Sequence, residues 1–389
     1  MLGGGNILIL TETGVGDFVV SSGLIREIRR IYPDARITLL VRAASSALAE
    51  TCPYVNEIVV DPQGFQPTNL FEFYGINVQT ASRLLEQRFD ICFAPALHPK
   101  TFLLMYMSGA KIRVTAIKQE TYDEFNKSRD FAELSMRLAT HIFPCNNYGN
   151  HMADRFFSLL ENMVHLPITN RKTEVWYTPA DVSFAKTLLK GASASIYALC
   201  MGGSTHRKHY PPEKYVKLLE MILRKESVAT FVILGGGQDD LKSAEAFKNA
   251  APRIYTDNII DLTNKLNYRQ TAAVMNFCDI YIGNDNGTMH IAAALNIPVL
   301  TPNCFAADLP MHNTDIPHRF YPYGVPSVIV QPKHALPECR PVNGYNPYGC
   351  KEETIPHCIT QIEPETLFKG LKLLKKRAAA GIKEPLYMS

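Results

Sequence analysis

Residues 278–300, Cys-Asp-Ile-Tyr-Ile-Gly-Asn-Asp-Asn-Gly-Thr-Met-His-Ile-Ala-Ala-Ala-Leu-Asn-Ile-Pro-Val-Leu, limit what this chain can fold into more than any other stretch. Residues 280–283 read as a buried strand, 284–288 as a polar turn and 289–295 as an alanine-rich helix pressed on a sheet, before Pro298 opens another strand. A strand-turn-helix-strand unit gathers unpaired N–H groups at the carboxyl edge of a parallel sheet, where the helix dipole favours an anion such as a diphosphate. Gly287 lets the backbone come close, Thr288 offers a hydroxyl, and His290 can donate to a phosphate oxygen. Asp285 would repel a phosphate, so it suits sugar hydroxyls or orients the turn. An ordinary capped helix, with Asp285 and Asn286 as cap and turn formers, accounts for the same residues.

The rest of the chain repeats the strand-helix alternation twice over. At 389 residues it is too long for one ordinary core and suits two α/β domains. The expected division is 1–175, 176–362 and a closing helix and tail at 363–389, with the boundary in the linker around residues 167–179. With 40 basic against 37 acidic residues, the formal charge of +3 gives no general reason to bind nucleic acid. The N-terminus lacks a basic segment followed by an apolar one, so a cytoplasmic location is expected. Nine cysteines show no C-x-x-C pair; Cys339, Cys350 and Cys358 share a loop-rich segment, but their spacing is not that of a zinc motif.

In the first half, residues 6–10 form an apolar run suited to a central parallel strand, which breaks at Thr11-Glu12-Thr13-Gly14-Val15-Gly16-Asp17 into a helix to about Ile31. Leu24, Ile25 and Ile28 mark its inner face, with Arg26, Glu27, Arg29 and Arg30 expected outside. The turn with Thr13, Gly14 and Gly16 is no dinucleotide fingerprint, because Val19 stands where the third glycine belongs, and no Gly-Lys-Ser/Thr follows for a P-loop. Asp17 at the first turn is a structural N-cap or a general base at a strand end. Lys100 suits either a solvated loop or an acidic acceptor. Residues 119–166 are polar with helical stretches at 136–139 and 152–163. Arg113, Lys118, Lys127, Arg129, Arg137, His141 and Arg155 could line an anionic pocket there.

The second half restarts with a strand at 195–201 that ends in Gly202-Gly203-Ser204-Thr205-His206-Arg207-Lys208. Hydroxyls of Ser204 and Thr205 with the Lys208 ammonium suit phosphate oxygens. A strand at 229–234 ends in Gly235-Gly236-Gly237-Gln238-Asp239-Asp240, where Asp239 is either a ribose ligand or a helix cap. Residues 301–357 read as irregular loops. The helix 364–380 sets Leu367, Leu371 and Leu374 against Lys369, Lys372, Lys375, Lys376 and Arg377, a solvated helix end or one suited to an anionic membrane surface.

Laid out in this way, the chain resembles glycosyltransferase family 9, the heptosyltransferases of lipopolysaccharide core. The resemblance rests on Ile7-Leu8-Ile9 with Gly16-Asp17, on Gly203-Ser204-Thr205 with Lys208-His209-Tyr210-Pro211, and above all on residues 284–294. It implies a GT-B fold, two Rossmann-like doubly wound domains facing across a cleft, with the acceptor on the first and a nucleotide-sugar on the second. At matching positions it implies that Asp17 is the catalytic base and that Ser204, Thr205, Lys208, Asp239, Asp285, Asn286, Gly287, Thr288 and His290 bind the donor. It implies an inverting, metal-independent glycosyltransferase with no cofactor, ADP-heptose as donor and a lipid-linked or glycan acceptor. Where the family has Gly-Pro-Thr, this chain has Thr301-Pro302-Asn303-Cys304, which leaves another nucleotide-sugar as the alternative. A non-catalytic two-lobed ligand-binding protein is the second alternative.

Overall fold

Two runs of parallel strands, one in each half of the chain, organise the computed structural model of the protein, which describes residues 5–11, 13–62, 75–95, 99–118, 137–145, 151–203, 205–308, 316–337 and 357–389. Each run builds its own compact unit, Met1–Trp176 and Tyr177–Ser389.

The first unit holds β1 (Asn6–Thr11), β2 (Arg36–Arg42), β3 (Glu57–Asp61), β4 (Ile91–Phe93), β5 (Ile112–Lys118) and β6 (His141–Cys145), all parallel, in the order β3-β2-β1-β4-β5-β6. Ile7, Leu8, Ile9 and Leu10 are at most 1% exposed, so β1 is covered on both faces as a central parallel strand must be. β6 lies where the sequence suggested only polar and helical segments, and β5 where it suggested no element. Pro144 in β6 is tolerated because the strand is the edge of its sheet. Residues 137–140 form a turn rather than a helix.

Helix Val15–Ile31 buries Leu24, Ile25 and Ile28 as its pattern predicts, and Phe18 and Val19 with them. Arg26 and Glu27, expected outside, are buried as well. The covering segment is residues 170–176. Arg26 donates to Glu27, to Glu174 and to the carbonyls of Asn170 and Lys172, while Glu174 N–H donates to Ser22 Oγ at 2.6 Å. Trp176 then meets Phe18 and Tyr54 edge-on, with ring centroids 6.2 and 5.9 Å apart.

The second unit holds β7 (Ser195–Cys200), β8 (Ala229–Ile233), β9 (Ile259–Asp261), β10 (Ile280–Gly283), β11 (Val299–Pro302), β12 (Ser327–Val330) and β13 (Pro385–Met388), parallel throughout and ordered β13-β12-β11-β10-β7-β8-β9. β12 corrects the expectation of loops alone between residues 301 and 357. The closing segment is no appendage either. Helix Pro364–Ala379 puts Leu367, Leu371 and Leu374 into the same core as Leu219, Leu300 and Val328, and β13 completes the sheet.

Both units therefore have the doubly wound strand order, in which the chain departs in opposite directions from the first strand. The order reverses between β1 and β4 in one unit and between β7 and β10 in the other, and crevices for ligands form at the carboxyl ends of strands at such points.

Candidate functional site

In the first unit the β1 end delivers Thr13, Gly14, Gly16 and Asp17 to one such point. Gly14, not Asp17, is the N-cap of the helix, so the structural capping role considered for Asp17 does not hold. Asp17 lies in the first turn, half-buried, with its carboxylate over the glycine: a Cβ on Gly14 would stand 3.7 Å from Asp17 Oδ2. The helix dipole favours a carboxylate at this end.

Among the residues considered for an anionic pocket, Arg113 donates to the carbonyls of Leu138 and Ala110, and buried Arg155 donates to that of Pro95. These two serve the fold. Lys127 and Arg129 lie outside the described residues, as do Cys339 and Cys350. Lys100 is no solvated loop lysine: it starts helix Pro99–Met107 and pairs at 2.7 Å with Asp61, which ends β3 and is 1% exposed.

In the second unit, three turns meet at the carboxyl ends of β7, β8 and β10. Asn286 is the N-cap of helix Gly287–Ala294, its Oδ1 accepting from the N–H groups of Thr288 and Met289 at 2.9 and 3.2 Å. The Thr288 hydroxyl donates to the same oxygen at 2.6 Å. Two amides expected at an anion are thus occupied by the cap, which leaves Gly287 N–H as the open donor of this helix start. Asn286 Nδ2 reaches back to Gly202 O at 2.9 Å, tying the β10 turn to the β7 turn. Beneath, Tyr281 OH lies within 3.2 Å of Asn284 O, Asn286 Oδ1 and Thr288 Oγ1, and the fully buried Asn284 accepts from Tyr215 OH at 2.8 Å. Every polar group of this floor is satisfied, which fixes the turn above it.

Lys208 Nζ donates to Asp285 Oδ2 at 3.0 Å. Burial alone would drive the ammonium toward neutrality, but the Asp285 carboxylate more than offsets it and holds the Lys208 pKa above its usual range. His290 lies behind the pair. Burial, opposed by Asp285 and helped by Lys208, lowers its pKa to about 4, so the ring is neutral at pH 7 with one N–H to donate. Thr205 Oγ1 is buried with no hydrogen-bond partner, an orphaned hydroxyl in the same turn as Lys208, whose backbone N–H donates to Thr205 O at 3.0 Å. Ser204 lies outside the described residues.

The β8 turn departs from expectation. Asp239 points into solvent, its side chain 55% exposed and 3.9 Å from Lys242, while Gly237, with φ of 105°, caps the helix. The next residue, Asp240, turns inward instead and accepts from Gly236 N–H at 2.6 Å. Asn264 braces the turn from its other side through Gly237 N–H at 2.7 Å. Cys304, in the segment that replaces Gly-Pro-Thr, has its thiol pushed up to about 11 by burial, against the pull of Lys208 and Arg207. Among the described residues no group of His, Cys, Asp and Glu has the makings of a metal site, and no helix is long and apolar enough to cross a membrane.

Such an arrangement, a charged lysine, an orphaned hydroxyl and a helix start at a topological switch point, can hold a diphosphate. Residues 83–307, more than half of the chain, match the sequence profile of glycosyltransferase family 9 (heptosyltransferase). The lipooligosaccharide heptosyltransferase 2 of Haemophilus ducreyi is 23% identical over 304 residues, 75% of this chain and 80% of that protein. The solved E. coli ADP-heptose lps heptosyltransferase II has the same fold at a TM-score of 0.67 and 18% identity, over 96% of this chain and 99% of that one. E. coli heptosyltransferase WaaC, solved with ADP, follows at 0.65 and 12%, with the same coverage. The two doubly wound units are thus the two Rossmann-like domains of the GT-B fold, and the chain belongs to glycosyltransferase family 9, the heptosyltransferases.

Proposed function

We propose that the protein transfers a heptose from ADP-heptose to a hydroxyl of a lipopolysaccharide-core acceptor, in one displacement that inverts the anomeric carbon. The observation that carries the donor half is the Lys208–Asp285 pair at 3.0 Å in a turn that also holds the orphaned Thr205 hydroxyl. Similarity to heptosyltransferases, one of them solved with ADP, supports the choice of nucleotide.

Asp17 takes the proton of the acceptor hydroxyl as that oxygen forms its bond to the anomeric carbon. The bond from that carbon to the diphosphate breaks, and ADP departs with the electron pair. Lys208, Thr205 and the Gly287 N–H stabilise the negative charge that develops on the leaving group. Asp285 holds Lys208 in place and faces the sugar. These donors do the work a divalent metal does in other transferases, so turnover is expected to survive chelation. The acceptor is carried at the membrane face, and the basic helix Pro364–Ala379 suits contact with an anionic surface.

Incubation with ADP-heptose and a heptose-deficient core acceptor, with and without EDTA, tests the reading. A product of inverted anomeric configuration, formed equally in both, is expected. A panel of ADP-, UDP- and GDP-sugars read by thermal shift identifies the donor, since a tight ligand raises the melting point; stabilisation by a UDP- or GDP-sugar alone would replace ADP-heptose.

A further inference from the structure

We propose that Asp240 is a positioning residue that clasps the phosphate turn after β7 to the turn after β8, keeping Gly202, Gly203 and residues 205–208 in a ligand-ready shape. The proposal rests on the donor reading above for its consequence, but not for its geometry.

The carboxylate sits between two glycine turns. Its Oδ2 accepts from Gly236 N–H at 2.6 Å, and its Oδ1 lies so close to Gly202 that a Cβ there would come within 1.7 Å of it. A Cβ on Gly235 would come within 2.5 Å of Oδ2. Both turns lack side chains where this carboxylate packs. The β8 turn is the anchored side, because Asn264 N–H donates to Gly235 O at 3.0 Å and Asn264 Oδ1 accepts from Gly237 N–H at 2.7 Å. The β7 turn is the side that needs holding. It carries Gly202, Gly203, Thr205 and Lys208; Asn286 holds Gly202 O, His209 Nε2–H donates to Gly203 O at 3.0 Å, and Asp285 holds the far end at Lys208. Desolvation raises the Asp240 pKa, which marks a carboxylate kept in a half-buried place with a single hydrogen-bond donor. A surface helix-start aspartate would face water, as its neighbour Asp239 does.

The test uses ADP as probe on the full chain, read by calorimetry, with amide hydrogen exchange on the ligand-free protein. Asp240→Ala is expected to weaken ADP about tenfold, the scale of one lost charge-assisted hydrogen bond, and to speed exchange at Gly236 and across Gly203 and residues 205–208. Asp240→Asn, which keeps an oxygen for Gly236 N–H, is expected to restore both. Gly202→Ala drives the carboxylate from its seat and is a second route to the same break should Asp240→Ala fail to fold. If one clasp is broken either way, the double variant is no worse than either single one. Additive losses, or wild-type exchange in both single variants, overturn the clasp. An Asp240→Asn variant as weak as Asp240→Ala overturns it too, since the charge would then act on the ligand directly. Absence of ADP binding by the wild-type protein sinks the donor reading instead, and leaves the exchange measurement to decide the clasp.

Discussion

Lys208 Nζ and Asp285 Oδ2 meet at 3.0 Å with their side chains only 18% and 11% exposed, joining the turn after β7 to the turn after β10. Removing one partner of such a pair leaves a buried charge unpaired, which typically costs 3–5 kcal/mol. Asp285→Asn should therefore lower the unfolding free energy by about 3 kcal/mol in urea titration. The double variant Lys208→Met/Asp285→Leu should recover much of that loss while abolishing ADP binding. A wild-type midpoint for Asp285→Asn would mean that water already solvates the lysine.

Asp17 stands on the first turn of helix Val15–Ile31 without serving as its cap, so its loss should spare the fold. Asp17→Ala is expected to reduce turnover by 10²–10⁴-fold, the range of general-base loss, with the fold kept and the melting temperature lowered by no more than the loss of a helix-start carboxylate costs. Near-normal turnover would remove it from the mechanism.

His290 makes a prediction about acid. Its folded pKa of about 4 lies below the usual 6.5, so between these values the unfolded chain binds the proton that the folded one refuses. Stability consequently falls as pH drops from about 6.5 to 4, by about 3 kcal/mol from this group. His290→Gln should flatten that part of the stability curve relative to wild type. An unaltered slope would place the acid sensitivity on other groups.

Arg26 supplies a structural test with its own optical readout. The only tryptophan of the chain, Trp176, ends the segment that Arg26 holds against helix Val15–Ile31. Arg26→Met removes one of the two guanidinium partners of buried Glu27, which keeps Arg30 at 2.6 Å, and with the bonds to residues 170–174 lost should cost about 1–3 kcal/mol. The emission of Trp176 should shift to the red as its contacts with Phe18 and Tyr54 loosen. Unchanged emission would show that the segment is held by its backbone alone.

How far the sequence disclosed all this varies with the physics of each part. β1, β7 and β10 were legible because strands covered on both faces must be apolar from end to end. β5, β6 and β12 were not, since strands near a sheet edge can include residues such as Arg113, Pro144 and Ser327 and so lose the apolar signature. Burial of Arg26 and Glu27 depends on Asn170 and Lys172, some 145 positions onward, and no local pattern reports that. Of the adjacent pair Asp239 and Asp240, the one singled out in the sequence faces outward and the other turns into the fold. One helical step turns a side chain by about 100°, so which of two neighbours at a helix start faces inward depends on where the helix begins. The turn at Asn284–Thr288 was recognised as a helix start, and which of its amides the cap consumes became visible only with Asn286 Oδ1 in place.

The last ordered strand, β13, bonds to β12 at the rim of the seven-stranded sheet and runs to Met388. Trimming a protein-expression clone back to Ile382 would strip that rim and bare the unsatisfied backbone of Ser327–Val330, an invitation to intermolecular β-stacking. A clone shortened in this way for crystallisation should be expected to precipitate.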